Sequence, residues 1–228
     1  MSSAAPAQPS KDSRARRTLF VIGELLITAG VLALLFVAYQ LWWTNVQSAQ
    51  QTSQARVEAQ HAISASGAEK PVSIGKAFGL LYIPRLRDHV WATPIVQGVE
   101  RPQLARGVGH YPKSAMPGQV GNFALAGHRA THGEPFAHFD DLRDGDKVYV
   151  ETKQGFFTYV LVRDQIVQPT DLWVINPQPF PTDPLPNDRI ITLTTCNPRW
   201  ASYERWAYWG VLTEVRPLSA GPPAEVSS

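Results

Sequence analysis

The chain has 228 residues, 44% of them hydrophobic, which is enough for one well-cored domain with appendages and too little for two. Its net charge of +2 is small, and its lysines and arginines are spread along the chain, which excludes the basic stripe of a nucleic-acid binder. The 19 prolines and 16 glycines point to many turns, and a single cysteine excludes an internal disulfide framework.

Residues 1–17 read as a disordered basic tail carrying Lys11, Arg14, Arg16 and Arg17. Thr18 to Trp43, TLFVIGELLITAGVLALLFVAYQLWW, is almost wholly apolar and Glu24 is its one charge. The run exceeds the ~20 residues that a helix needs to cross a ~30 Å hydrocarbon core. Cations before it and Trp42 and Trp43 at its end set the N-terminus in the cytoplasm and the remainder outside. A cleaved signal peptide has a shorter apolar run ending in small residues, so the expectation is an uncleaved, single-pass signal-anchor. Glu24 lies within two turns of the cytoplasmic interface, where a carboxylate snorkels or takes up a proton.

Residues 44–76 are rich in Gln, Ala and Ser with no apolar run, and read as a flexible stalk, helical in part. From Phe78 the pattern changes to short β-rich runs bounded by Gly, Pro, Asn or Asp: FGLLYIP, ATPIVQGV, GNFALAGH, DKVYVET, GFFTYVLVRDQIV, RIITLTTC and WAYWGVLTEV. Their spacing predicts an all-β barrel or sandwich of about seven or eight strands over residues 77–217. TKQG marks a tight hairpin. Between the strands, RATHGEPFAHFDDLRDGD predicts a short helix near Pro135 to Leu142. The proline-rich segment Pro169 to Asp188 is long enough to bind something rather than merely connect. Residues 218–228 read as a disordered tail.

Cys196 follows RIITLTT and precedes Asn197-Pro198, so it sits at a strand end on a loop rim. A thiol nucleophile also needs a basic or cationic partner and an oxyanion donor. If the loop folds back as a hairpin, Arg205 falls on the strand next to Cys196, and its guanidinium suits an oxyanion. Of the six histidines, His128 alone ends an apolar strand-like run, NFALAGH, in the same setting as Cys196. From spacing alone a packed, inert thiol stands beside the nucleophile, and Arg199 stands beside Arg205. His128-x-x-x-His132 has metal-ligand spacing for a helix, but Gly127 and Gly133-Glu134-Pro135 argue against one. No nucleophile elbow, Walker loop or dinucleotide turn is present, and no metal or cofactor is expected.

Taken together, ALAGHRATHGEPFAHFDDLRDGD, ITLTTCNPRWASYERW and the upstream LYIPRL, PIVQGV and LARGVGHYPKSAMPGQVGN resemble the sortases, the membrane-anchored cysteine transpeptidases of Gram-positive bacteria. The resemblance covers about Phe78 to Arg216. TCNPRW and the short loop before Arg205 look most like class E, the housekeeping-type sortases of high-GC actinobacteria. It implies an eight-stranded sortase β-barrel with short helices in its loops, preceded by one transmembrane helix. It further implies Cys196 as nucleophile, His128 as acid/base, Arg205 as oxyanion and substrate ligand, and Thr195 as a residue shaping the substrate groove. The segment before the cysteine strand matches the loop that contacts the leucine end of the sorting signal, which points to Leu172, Trp173 or Ile175. The implied reaction is cleavage between Thr and Gly of a C-terminal Leu-Ala-x-Thr-Gly or Leu-Pro-x-Thr-Gly signal on a secreted protein. Transfer to an amine of a lipid-linked peptidoglycan precursor follows, anchoring the protein to the cell wall. A pilin-polymerising sortase, a hydrolytic thiol protease with the same triad and a non-enzymatic binding module remain the alternatives.

Overall fold

The computed structural model describes residues 11–67 and 71–227. Residues 1–10 of the expected basic tail lie outside the described residues, as do the side chains of Lys11, Arg14, Trp42 and Trp43. The chain divides into two compact units, Met1–Thr44 and Asn45–Ser228.

One long helix, α1 (Lys11–Ser64), contributes to both units. Within the first unit, Ala15–Tyr39 is 25 residues long and apolar enough to cross a membrane. Leu19, Phe20, Leu26, Leu34 and Phe36 all point outward and are exposed. A helix that is apolar all round and pairs its own N–H and C=O groups is a form the backbone can hold in lipid.

In the second unit, the segment expected to be a flexible stalk is instead helical to Ser64 and packed. Ala55 and Ala59 are fully buried against Leu80, Tyr82, Val96 and Tyr149 on the outer face of the sheet. Spacing of four residues puts both alanines on one helix face, and their small size lets the helix approach closely. Glu58 fixes the helix by pairing with Arg106 at 2.6 Å and Lys76 at 3.1 Å. Alanine in a Gln- and Ser-rich setting carries little apolar signal, which is why composition suggested a free stalk. The C-terminal segment is also docked. A turn at Leu218–Ala220 and a short helix at Ala224–Ser227 bring Glu225 to Lys147 and Val226 to the same outer cluster.

Eight strands follow α1: β1 (Ala77–Tyr82), β2 (Thr93–Gln97), β3 (Val108–His110), β4 (Gly121–Ala126), β5 (Lys147–Thr152), β6 (Gly155–Val167), β7 (Arg189–Asn197) and β8 (Glu204–Arg216). They close into a barrel in the order β1-β2-β3-β4-β7-β8-β6-β5. Seven correspond to runs visible in the sequence. β3 does not, because Val108-Gly109-His110 has no alternation to betray it; its edges are filled by β2 and β4. The helix predicted near Pro135 to Leu142 is reduced to a single 3-10 turn, Phe139–Asp141. Glycine at 133 and proline at 135 keep the preceding residues out of helix.

Inside the barrel, Leu81, Ile95, Phe123, Leu125, Val148, Phe157, Ile191, Leu193 and Tyr208 form the main core. Each such side chain contributes roughly 1.5–3 kcal/mol by burial. Alternation sends the intervening residues outward. On β7 and β8, Ile190, Ala207, Trp209 and Val211 make a second apolar layer under the β6–β7 segment, with Val174 and Leu185. Most pairs are antiparallel, but β2–β3 and β4–β7 run parallel, the latter with Ala124 level with Thr192 and Ala126 level with Thr194. That pairing brings the C-terminal ends of two distant strands to the same rim.

Candidate active site

Cys196 is the next-to-last residue of β7 and is half-buried. Its register partner on β8 is Arg205, so the two side chains leave the same face of the sheet as direct neighbours. Since Ala126 pairs with Thr194, His128 and Cys196 each lie two positions beyond a matched pair on parallel strands. The parallel ladder continues past the strand end. Gly127 N–H donates to the Thr194 carbonyl at 3.0 Å, and Thr195 Oγ1–H donates to the Gly127 carbonyl at 2.8 Å. The three groups read from the sequence are therefore level on one rim.

Thr195 is 3% exposed, so its hydroxyl acts on the backbone that carries His128 rather than lining open space. Gly127 is required for a different reason: a Cβ there would meet the Phe136 ring at 2.5 Å. Phe136 N–H in turn donates to the His128 carbonyl at 3.0 Å, closing the turn that presents the imidazole.

Burial holds His128 below the ordinary histidine value, and the neighbouring His132 and the Arg101 guanidinium push the same way. The His128 and His132 rings stack with centroids 4.8 Å apart. His128 Nε2 is buried without a hydrogen-bond partner. An unpaired buried ring nitrogen beside a thiol strand suits a group kept ready for substrate.

The two candidate arginines have different surroundings. Arg205 Nη1 donates to the carbonyls of Ser202 at 2.7 Å and Glu204 at 2.8 Å, which ties the guanidinium to the end of the β7–β8 loop. Arg199 Nη2 is paired with Glu134 at 2.6 Å, joining the β7–β8 loop to the β4–β5 loop. Sequence reasoning gave no role to the arginine that follows His128. Arg129 is 6% exposed; it donates to Asn197 Oδ1 at 2.7 Å and Asp140 Oδ1 at 3.0 Å, and lies over the Trp206 ring at 5.1 Å. Asn197 continues the network by donating to Glu204 Oε2 at 2.7 Å. Residues 129, 197 and 204 each adjoin one of His128, Cys196 and Arg205, so this chain of bonds fixes all three backbones at once. Its sequence signal was the Gly-His-Arg run itself.

Behind Cys196 on the same face of β7, Thr194 and Thr192 are buried, Thr192 directly beneath a 3-10 turn, Leu172–Ile175. The turn is anchored through two carbonyls, that of Asn176 just past its end accepting from Asn122 Nδ2 at 3.0 Å. Val174 O accepts from Trp209 Nε1 at 3.0 Å, Asn122 Nδ2 at 3.3 Å and Thr192 Oγ1 at 3.4 Å. Leu172 and Ile175 line a mainly apolar cavity of about 390 Å³ with Tyr111, Pro112 and Ser114. Tyr111 joins this cavity to β7, its hydroxyl 3.3 Å from Thr194 Oγ1. Trp173 is not part of that lining: it stacks on Trp209 at 5.8 Å and meets Phe180 edge-on. Among the described residues no cluster of three or more His, Cys, Asp or Glu forms a metal site.

Comparison with known proteins matches residues 81–213 to the sortase domain family. Sortase SrtE1 of Streptomyces coelicolor is 44% identical over 212 residues, covering 89% of this chain; the chain spans only 59% of that relative. The structure of sortase E from Streptomyces avermitilis is similar with a TM-score of 0.61 and 40% identity, over 68% of this chain and 99% of that one. Sortase E1 from Streptomyces coelicolor, solved with a tripeptide in its active site, has a TM-score of 0.62 at 38% identity, over 70% of this chain and 99% of that one. The closed eight-stranded barrel with its parallel β4–β7 pair, and a domain match extending over more than half of the sequence, establish that this chain belongs to the sortase family and is similar within it to class E.

Proposed function

We propose that this protein is a sortase transpeptidase in which Cys196, His128 and Arg205 carry the chemistry. The observation that carries the reading is the common level of these residues on β4, β7 and β8. The Cys196 thiolate attacks the Thr–Gly carbonyl of a sorting signal. Arg205 holds the oxyanion, and His128 protonates the departing glycine amine, leaving a thioacyl enzyme. An amine of a lipid-linked peptidoglycan precursor resolves it, with His128 as base. Arg205 is preferred to Arg199 because Arg199 is already neutralised by Glu134.

The signal runs from Cys196 toward the cavity beside the Leu172–Ile175 turn. Leucine precedes threonine by three residues, about 10 Å in extended chain, which from Cys196 reaches the cavity lined by Leu172 and Ile175. The tripeptide in the related sortase E1 supports a peptide ligand in this groove. The Ala15–Tyr39 helix anchors the protein in the membrane with its N-terminus cytoplasmic, next to both substrates.

The test is incubation of the full chain in detergent micelles with Leu-Ala-x-Thr-Gly and Leu-Pro-x-Thr-Gly peptides and an amine, read by mass spectrometry. Cleavage after threonine, an amide product and a trapped thioacyl adduct, all absent in Cys196→Ala, are expected. Cleavage that survives Cys196→Ala sinks the mechanism, and release to water alone in the presence of amine favours a protease.

A further inference from the structure

A second groove adjoins the histidine side of the site. It has a volume of about 270 Å³. Thr52, Ser53 and Arg56 of α1 form one wall, His132 of the β4–β5 loop the other, and His89 an end. His132 connects the groove to the reaction centre, since its ring stacks on His128. His132 Nδ1 is buried without a hydrogen-bond partner, as is His128 Nε2.

The surrounding backbone carries strain as well. Ala92, His132 and Glu134 hold φ values of 49°, 53° and 45°, the left-handed region that residues with a Cβ avoid. Strained residues of this kind cluster at ligand sites. Arg56 braces the region by donating from Nε to the Ala92 carbonyl at 2.8 Å and from Nη2 to the Trp91 carbonyl at 3.4 Å. The ionisable groups lining the groove are Arg56, His89 and His132, and no carboxylate lines it among the described residues.

We propose that this groove is the acceptor site, and that it takes an amine borne on a peptide that also carries carboxylates. The inference rests on the transpeptidase reading. One histidine serves both the departing and the incoming amine, so the acceptor enters on the His128 side, while the sorting signal runs from Cys196 toward the cavity lined by Leu172 and Ile175. The amine lone pair attacks the thioacyl carbonyl, forming the C–N bond as the C–S bond breaks. The amine proton passes to His128 and then to the Cys196 thiolate, and nothing is oxidised or reduced. Arg56 attracts the carboxylates of the acceptor.

The experiment uses the full chain in micelles, a Leu-Ala-x-Thr-Gly donor and two acceptors. These are acetyl-Ala-γ-Glu-Lys, with a free ε-amine and two carboxylates, and the same peptide with both carboxylates amidated. The wild type is expected to show an acceptor KM about fivefold lower for the acidic peptide. Arg56→Gln removes that preference, and Ser53→Trp, which fills the groove from an exposed position, raises the acceptor KM for both peptides and diverts the thioacyl enzyme to water. In both variants the effect falls on acceptor KM, not donor KM. Acceptor KM values within twofold of wild type in both variants overturn the inference while leaving the transpeptidase reading intact.

A second measurement needs no turnover: the acidic peptide is titrated into Cys196→Ala protein and histidine ring resonances are followed. Shifts at His132 and His89 that vanish in Ser53→Trp support the groove, and their absence overturns it. Failure of the wild type to cleave any donor sinks the transpeptidase reading instead, and the resonance titration still decides whether the groove binds the peptide.

Discussion

Arg199 and Arg205 flank the same loop, yet one is spent on a carboxylate and the other is held beside the thiol strand. Arg205→Ala is expected to lower donor kcat/KM about 10²–10³-fold, the scale of losing one oxyanion donor. Arg199→Ala, which breaks a partly exposed ion pair, is expected to cost less than about fivefold. Steady-state kinetics on one donor peptide decides between them, and the reverse ranking would transfer the role to Arg199. His132→Phe addresses the pH response. The substitution keeps a ring against His128 but removes a charge that, after burial, depresses the His128 pKa. Its pKa therefore rises, and the limb of the kcat/KM profile that follows loss of the imidazolium moves to higher pH. An unmoved limb would mean that another group titrates there.

At the level of elements, the 3-10 turn Leu172–Ile175 is held through the carbonyls of Val174 and, just past its end, Asn176. Asn122→Ala removes one donor from beneath it and also leaves Thr192 Oγ1 without its partner at 2.7 Å. The expected result is a donor KM raised about five- to tenfold with kcat changed less than twofold, measured on peptides that retain or lack the signal's leucine. Equal effects on both peptides would detach the turn from leucine recognition. The β7–β8 hairpin was legible because apolar alternation and an Asn-Pro break mark its strands and loop, so Cys196 and Arg205 could be paired from sequence. His128 stood out by its matching strand-end setting, but the parallel pairing that brings it level with Cys196 did not, since its bridging residues, Gly127 and Thr195, lie 68 positions apart. Local patterns carry no record of which distant strand fills an edge. Arg129 was invisible as a brace for the same reason: its partners come from β7 and from the turn at Asp140.

Across the whole molecule, acid stability is set in part by His110, which is 1% exposed with its Nδ1 at 2.7 Å from Gln97 Oε1. Burial pushes it down to about 4 from an ordinary 6.5. Because the folded value lies below the unfolded one, this contribution to stability is complete above about pH 6.5 and is lost as pH falls toward 4, amounting to roughly 3 kcal/mol. Melting temperature should therefore fall across that window, and less steeply in His110→Asn; parallel curves would assign the acid sensitivity elsewhere. The parallel β4–β7 pair has a further consequence for how the protein is made. No hairpin contains both His128 and Cys196, because β4 and β7 are paired directly but lie far apart in the chain. Alignment of the proposed catalytic groups waits on a long-range closure, so on the proposed mechanism the appearance of thioacyl adduct reports that β4 and β7 have paired.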